Sequence, residues 1–380
     1  MAGLIYLNYL KRFKVLMTIQ DIARLAGVSS ATVSGVLNNS PLVSAKTAKR
    51  VLAIIEEHNY QPNHLARALA LRQTGIVGLL IKDISNPLYG QIALGVEQAC
   101  EQKQYTVIIG NTHKQWQREV RYVSLLKQRR LDGLILLPLQ KGVDLGHIYE
   151  LKQAHFPFIL LGEVPGIDAD VVRADDEQGA RIATEHLIRL GRKNIAYLNG
   201  PDTALAGDRR CRGYQTALAA HDLVAKPELV WPGGWRLQDG YGAGRQFGGS
   251  PAARVDAVLC YNDSLAIGFM RALTEQGIRV PDDVAVVGFD DAGLGGYLQT
   301  ALTTVAQPAL EIGRCSADLL LQRIAAKENE GTTQKLYLTT HLVVRESCGA
   351  LSRGSFHSSA ADPSLIEQTV GNHQLQEVAT

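Results

Sequence analysis

The sequence predicts an α/β protein: a small N-terminal helix-turn-helix head, then a body of doubly wound parallel sheet folded as two lobes. Three observations predict it. The first 75 residues hold nine Lys/Arg against three Asp/Glu and read as short helices, whereas the remainder carries a net charge of −4. From Gly75 onward, short apolar runs alternate with stretches of helical period. There are also more of these runs than one open sheet comfortably holds.

In the head, Thr18 is the predicted N-cap of a first helix, with Asp21 three residues on approximating a capping box. Ile19, Ile22, Ala23, Leu25 and Ala26 follow at helical spacing. Gly27 ends that helix by accepting a left-handed conformation. Ser29 caps a second helix, Ser30 to Leu37, with Val33, Val36 and Leu37 as its apolar face, and a third starts at Ser44 and runs through Val51, Leu52, Ile54 and Ile55. Three short helices, the first two joined by Gly-Val-Ser, make a helix-turn-helix unit. The alternative is a generic helical hairpin. The basic balance, the tight turn and the small polar surface of the second helix favour a polyanion-binding head.

In the body, the strand-like runs are GIVGLLI at 75, YTVIIGN at 105, LDGLILLPL at 131, FPFILLGE at 156, NIAYLNG at 194, ELVW at 228, DAVLCYND at 256 and VAVVGFDD at 284. Helical segments such as GVEQACEQK, ARIATEHLIRLG and SLAIGFMRALTEQG separate them. Strand, helix, strand in repetition gives parallel sheets with helices on both faces. Two such subdomains facing each other across a cleft accommodate the count. Ligands of open parallel sheets sit at the carboxyl ends of strands. Those ends carry Asp83 to Tyr89, Gly162-Glu163, Asn262-Asp263 and Asp290-Asp291. Carboxylates, amides and an aromatic suit a polyhydroxylated ligand, which points to a sugar.

Composition bounds the other classes. Of 380 residues, 46% are hydrophobic and 20% charged, and no run approaches the ~18 apolar residues of a membrane span. The five cysteines are scattered and never spaced as CxxC, so neither a disulfide framework nor a zinc cluster is expected, and a reducing cytoplasm is. Residues 1–16 put apolar residues before positive charges, the reverse of a secretory signal, and read as a disordered extension or an early start ahead of Met17. Residues 349–380, rich in Ser and Gly, read as a disordered tail. No GxxxxGK[ST], HExxH or GxSxG occurs, and GYGAGRQFGG has the wrong spacing for a dinucleotide fingerprint. An enzyme, a cofactor and a metal are not expected.

The run TIQDIARLAGVSSATVSGVLNNSPLVSAKTAKRVLAIIEEHNYQPNHLARALALRQTGIVGLLI resembles the DNA-binding head and hinge of the lactose-repressor/galactose-repressor family. It carries AGVSxxTVSxVLN, then V-S-x-x-T-x-x-R-V, then Y-x-P-N-x-x-A-R-x-L, and the likeness extends from Met17 to Cys348. The resemblance implies a head at 17–62, a hinge helix and linker at 63–74, and an effector-binding and dimerising body at 76–348 like the periplasmic sugar-binding fold. It places lobe 1 at about 76–174 and 306–336, and lobe 2 at about 177–303 and 337–348. It further implies a homodimeric repressor of carbohydrate-related genes on a pseudo-palindromic double-stranded operator, with no membrane partner. For DNA it implicates Thr18, Ser29, Ser30, Ala31, Thr32, Ser34, Gly35, Asn38 and Lys46 in the head, and Asn63, Ala66, Arg67 and Leu69 in the hinge. Ser30, Ala31 and Gly35 stand at base-facing positions and offer little direct readout, so the alternative is a weakly specific architectural binder. For the effector it implicates Asp83, Asn86, Leu88, Tyr89, Glu163, Arg210, Trp235, Asn262, Asp290 and Gln307, with Arg210 and Asp290 expected at strand ends. Structural alternatives stand beside three of these: Asp290 as a helix cap, Trp235 as a core aromatic, and Asn262-Asp263 as a turn.

Overall fold

A computed structural model describes residues 17–37, 40–58, 60, 73–128, 131–138, 144–202, 204–247, 255–326 and 332–351. The readings made for 1–16, Asn38, Asn63, Ala66, Arg67, Leu69 and the tail beyond 351 lie outside the described residues. The chain divides into a smaller unit, Met1–Ile76 with Arg129–Asp132, and a larger one, Val77–Gln128 with Gly133–Thr380.

The N-terminal unit contains α1 (Ile19–Ala26), α2 (Ser30–Leu37) and α3 (Ala45–Glu57). The start of α1 is fixed by a reciprocal cap: the Asp21 amide donates to Thr18 Oγ1 at 3.3 Å, and the Thr18 amide donates to Asp21 Oδ2 at 3.0 Å. Gly27 stops it at φ 63°, a conformation any β-carbon would penalise. The Ser29 and Ser44 hydroxyls accept from the Thr32 and Thr47 amides and start α2 and α3. Ile22, Ala26, Val33, Val36, Val51 and Tyr60 form a small core between the helices. So few apolar groups suffice because each helix is pre-set at its ends.

The larger unit contains two six-stranded sheets. The first orders β11 (Lys335–Leu338), β5 (Val171–Ala174), β4 (Phe158–Leu160), β3 (Gly133–Leu136), β1 (Ile76–Ile81) and β2 (Thr106–Asn111). The second orders β12 (His341–Val343), β10 (Thr303–Ala306), β9 (Ala285–Asp290), β8 (Ala257–Cys260), β6 (Ile195–Leu198) and β7 (Val230–Trp231). In the first sheet Val77 faces Gly133 and Val171 faces Lys335, all in parallel. In the second, among the described residues, only β12 against β10 is antiparallel. Of these twelve strands, β5, β10, β11 and β12 were not among the apolar runs read from the sequence. They are three or four residues long, and VVRA, TTVA, KLYL and HLV mix polar with apolar side chains, so no run stands out.

The helices of the first lobe are α4 (Pro87–Gln102), α5 (Trp116–Lys127), α6 (Gly146–Gln153) and α11 (Ala309–Ala325). Those of the second are α7 (Asp176–Arg189), α8 (Leu205–Ala219), α9 (Leu237–Phe247) and α10 (Asp263–Glu275). Close helix pairs flank each sheet. At Gly95 and Gly313 a β-carbon would collide with the Leu310 and Ile92 carbonyls, so α4 and α11 touch backbone to backbone. In the second lobe Gly240 and Gly268 do the same for α9 and α10, which gives Gly240 of GYGAGRQFGG a packing role.

The chain passes between lobes three times: after Ala174, after Ala306 and after Leu338. The last two passages fall a few residues beyond the expected boundaries at 306 and 337. Thr303–Ala306 pairs along its whole length with β9 and Lys335–Leu338 with β5, and a paired strand cannot change sheets partway.

Candidate functional site

Two surfaces carry polar groups not explained by packing. The first is α2 with its flanks. Ser29 and Ala31 are exposed, and Ser30, Thr32 and Ser34 half-buried, while Val33 and Val36 point inward. Thr18 and Lys46 are exposed as well. At Gly35 a β-carbon would lie 3.0 Å from Val43 Cγ2, so the glycine also eases the close approach of the following loop.

The second is a cavity of about 500 Å³ between the lobes of the body. Nine of the ten residues expected to bind effector line it: Asp83, Asn86, Leu88, Tyr89, Arg210, Trp235, Asn262, Asp290 and Gln307. Glu163 does not. Its carboxylate accepts from Arg173 Nε and Nη2 at 2.9 and 3.0 Å, from Arg209 Nη1 at 3.2 Å and from the Tyr337 hydroxyl at 2.8 Å. Burial works against its charge, but these partners outweigh it and hold the carboxyl down at about 2.

Arg210 lies on α8, not at a strand end as expected. Its buried guanidinium donates from Nε to Asp176 Oδ1 at 2.9 Å and from Nη1 to the Tyr261 carbonyl, and Nη1 stands 3.7 Å from Asp290 Oδ1. The plane covers the Phe289 ring at 3.7 Å from its centroid. Asp176 stays ionised below the usual range: burial opposes its charge, and Arg210, Arg209 and Arg173 prevail. Asp290 ends β9 and caps no helix. Its φ of 117° is a strained backbone for a residue with a side chain, of the kind that clusters at binding sites. Burial raises its pKa although Arg210 and Gln307, which donates at 2.7 Å, favour the anion.

The two asparagines have structural duties. Asn86 caps α4 by accepting from the Leu88 amide at 3.0 Å. Asn262 caps α10 by accepting from the Leu265 amide at 2.8 Å, and donates to the Trp235 carbonyl at 3.1 Å. The turn reading of Asn262-Asp263 is therefore a helix cap. Trp235 is no core aromatic: it lines the cavity, half-buried, and the ammonium of Lys114 stands over its ring at 3.0 Å from the centroid.

Lys82, Lys114, Arg173, Asp176, Arg209 and Tyr261 also line the cavity and were missed. Lys82 sits immediately after β1, so the strand-end rule that found Asp83 could have found it. Lys114 and Arg209 lie in a loop and on a helix, where no such rule applies. Burial lowers the pKa of both Lys82 and Lys114 to about 8, against the pull of Glu119 and Asp83 respectively.

Among the described residues no helix is long and apolar enough to cross a membrane, and no group of His, Cys, Asp and Glu could hold a metal ion.

Comparison with known proteins agrees with both surfaces. Residues 18–63 match the family of bacterial regulatory proteins, lacI family, and residues 184–348 match the periplasmic binding protein-like domain. The ribose operon repressor of Escherichia coli K12 is 35% identical over 331 residues, 87% of this chain and 99% of that protein. The HTH-type transcriptional repressor PurR of Vibrio campbellii is 33% identical over 314 residues, 82% of this chain and 93% of that protein. A lac repressor dimer solved with operator and an anti-inducer superposes with a TM-score of 0.78 at 30% identity, covering 87% of this chain and 99% of that one. With a matching head, a matching body and relatives aligned nearly end to end, the chain belongs to the lacI family of bacterial regulatory proteins and is a DNA-binding transcriptional regulator.

Proposed function

We propose that the protein is a homodimeric cytoplasmic repressor that binds a pseudo-palindromic operator and responds to a sugar-like effector held between its lobes. The observation that carries this reading is the interlobe cavity: Arg210, Asp290, Asn262 and Trp235 from one lobe face Asp83, Asn86 and Tyr89 from the other. An effector touching both sides favours one interlobe geometry by its differential affinity, which is how binding becomes a signal. The relatives add support. A regulator solved with cellobiose is 33% identical, and a lacI family regulator from Enterococcus faecium solved with ribose is 29% identical.

In this reading Ser30 and Ala31 contact bases, while Ser29, Thr32, Ser34, Asn38, Thr18 and Lys46 position the backbone. The alternative, a weakly specific architectural binder, rests on the little direct readout that Ser30, Ala31 and Gly35 offer. The hinge residues Asn63, Ala66, Arg67 and Leu69 form a helix too short to persist alone, and two copies insert Leu69 in the minor groove. The body binds its ligand without transforming it.

Selection of bound duplexes from a random pool by the full chain tests the DNA half. A two-fold symmetric consensus is expected, and an unrelated or asymmetric pool contradicts it. Thermal shift against sugars tests the other half: ligand at 100 times its dissociation constant adds about 2.7 kcal/mol. For the hinge, Leu69→Ser is expected to weaken binding and reduce bending together, with the salt dependence unchanged. A variant that bends and binds like the parent makes the segment a linker.

A further inference from the structure

The cavity holds six cationic side chains, Lys82, Lys114, Arg173, Arg209, Arg210 and Arg236, against three carboxylates, Asp83, Asp176 and Asp290. Glu163, outside the cavity wall, still leaves two positive charges in excess.

The carboxylates are also engaged. Asp83 accepts from the Ser85 amide and hydroxyl at 3.1 and 2.7 Å. Asp176 is held by Arg209 and Arg210, and Asp290 by Gln307 with Arg210 beside it. Asn86 and Asn262 have their carbonyl oxygens on helix amides. A neutral sugar needs acceptors for its hydroxyl protons, and here each carboxylate already serves protein donors, which leaves fewer lone pairs for a ligand.

The donors are freer. Lys82 has no ion pair or hydrogen bond among the described residues, Lys114 has only Asp83 at 3.5 Å, and the Trp235 Nε1 is buried without a partner. Lys114 is also held out of ordinary backbone geometry. It and His113 sit consecutively at φ 60° and 51°, a pair of left-handed residues that place the ammonium over Trp235. A neutral sugar stacking on that indole must displace a cation. An anionic one keeps it as counter-ion.

We propose that the effector is an anionic sugar derivative whose carboxylate or phosphate is neutralised by Lys82 and Lys114 on the first-lobe side of the cleft. This inference rests on the sugar-effector reading above and narrows its ligand class. Burial of both ammonium groups, which lowers their pKa to about 8, means that a bound anion restores charge stabilisation the empty site lacks. Lys114 reaches Trp235 from the opposite lobe, so an anion beside it also ties ligand charge to interlobe geometry.

The test is calorimetric titration of the full chain, in a buffer free of phosphate and sulfate, with gluconate, glucuronate, glucose 6-phosphate and ribose 5-phosphate beside glucose and ribose. At least one anionic sugar is expected to bind tenfold or more tightly than its neutral parent. Which class does so separates a carboxylate from a phosphate. Lys82→Met and Lys114→Met are each expected to cut that preference, read as the ratio of anionic to neutral affinity, by tenfold or more. Circular dichroism and melting confirm that each variant folds, and Lys82→Gln replaces the first if it does not. Neutral sugars that bind as tightly as every anionic partner, or a preference that survives both variants, overturn the inference and leave the sugar reading intact. Binding of none of the six overturns both.

Discussion

The two walls of the cleft are built on different principles. On the second-lobe side the polar groups are cross-tied: Arg210 to Asp176 and the Tyr261 carbonyl, Asn262 to the Leu265 amide and the Trp235 carbonyl, Asp290 to Gln307. On the first-lobe side the charged groups after β1 and β2 are looser, with Lys82 unpaired among the described residues and Lys114 at 3.5 Å from Asp83. A cross-tied wall fixes ligand orientation before binding, at no ordering cost when the ligand arrives. A looser wall has fewer contacts to break if a ligand draws its side chains together. A regulator needs both, because a site rigid on both sides would bind without changing shape.

The largest expected effect comes from cutting the main tie on the fixed side. Arg210→Ala leaves Asp176 and Asp290 buried without their shared cation, and breaking a buried ion pair on one side costs about 3–5 kcal/mol. Denaturant unfolding of the variant should show a loss of this order, with effector response abolished. An unchanged midpoint would mean that the second-lobe wall holds without Arg210 and that the two walls differ less than their contacts suggest. Lys82→Met on the other wall should change stability far less, because no partner is stranded.

How much of this was legible beforehand follows the same division. Strand-end groups such as Asp83, Asn86, Asn262 and Asp290 fall where apolar runs stop, and that boundary is visible in sequence. Arg210 and Trp235 were named through a family pattern, since nothing in RRCRGY says which arginine turns inward. Both Arg209 and Arg210 reach Asp176, and only the packing of α8 on α7 decides that. Glu163 stands outside the cavity lining, and its strand-end position does not reveal Arg173, Arg209 and Tyr337 closing around it from β5, α8 and β11. The caps of the head were read correctly because they are local: Thr18 with Asp21, and Ser29 with Thr32, lie within one turn. The close approach of Val43 to Gly35 was not legible, because Val43 lies beyond the helix end.

A second, intermediate effect concerns pH. Asp263 lies beneath the fixed wall, accepting from the Thr304 hydroxyl at 2.6 Å and the Ala292 amide at 2.8 Å. Burial, with Asp290 nearby, pushes its carboxyl up to about 7. A carboxyl whose folded pKa exceeds its unfolded value of 3.8 binds more protons folded than unfolded between those values. Stability therefore falls as the pH rises from about 4 to about 7. Thermal melting across that range should show the slope, and Asp263→Asn should flatten it. A wild-type slope of the opposite sign would mean that the two hydrogen bonds outweigh burial and keep Asp263 ionised.

The smallest effect tests what links the walls. Glu163 and Arg173 belong to the first lobe and Arg209 to the second, so the Glu163–Arg209 pair crosses between lobes at the edge of the cleft, with Arg173 holding Glu163 from its own side. Tyr337 braces the pair twice, through its hydroxyl at 2.8 Å from Glu163 and through its ring, over which the Arg173 guanidinium stands at 4.0 Å. Tyr337→Phe keeps the ring and removes only the hydrogen bond, for an expected loss of about 0.5–1.5 kcal/mol. The Glu163 carboxyl is held at about 2, below its ordinary 4.5, so its contribution is full above pH 4.5 and is lost as the pH falls toward 2. The Tyr337→Phe deficit should therefore be present at neutral pH and shrink in acid, the reverse of the Asp263 window. A deficit that persists unchanged at pH 2 would mean that the hydroxyl does not act through the ionised Glu163 carboxylate.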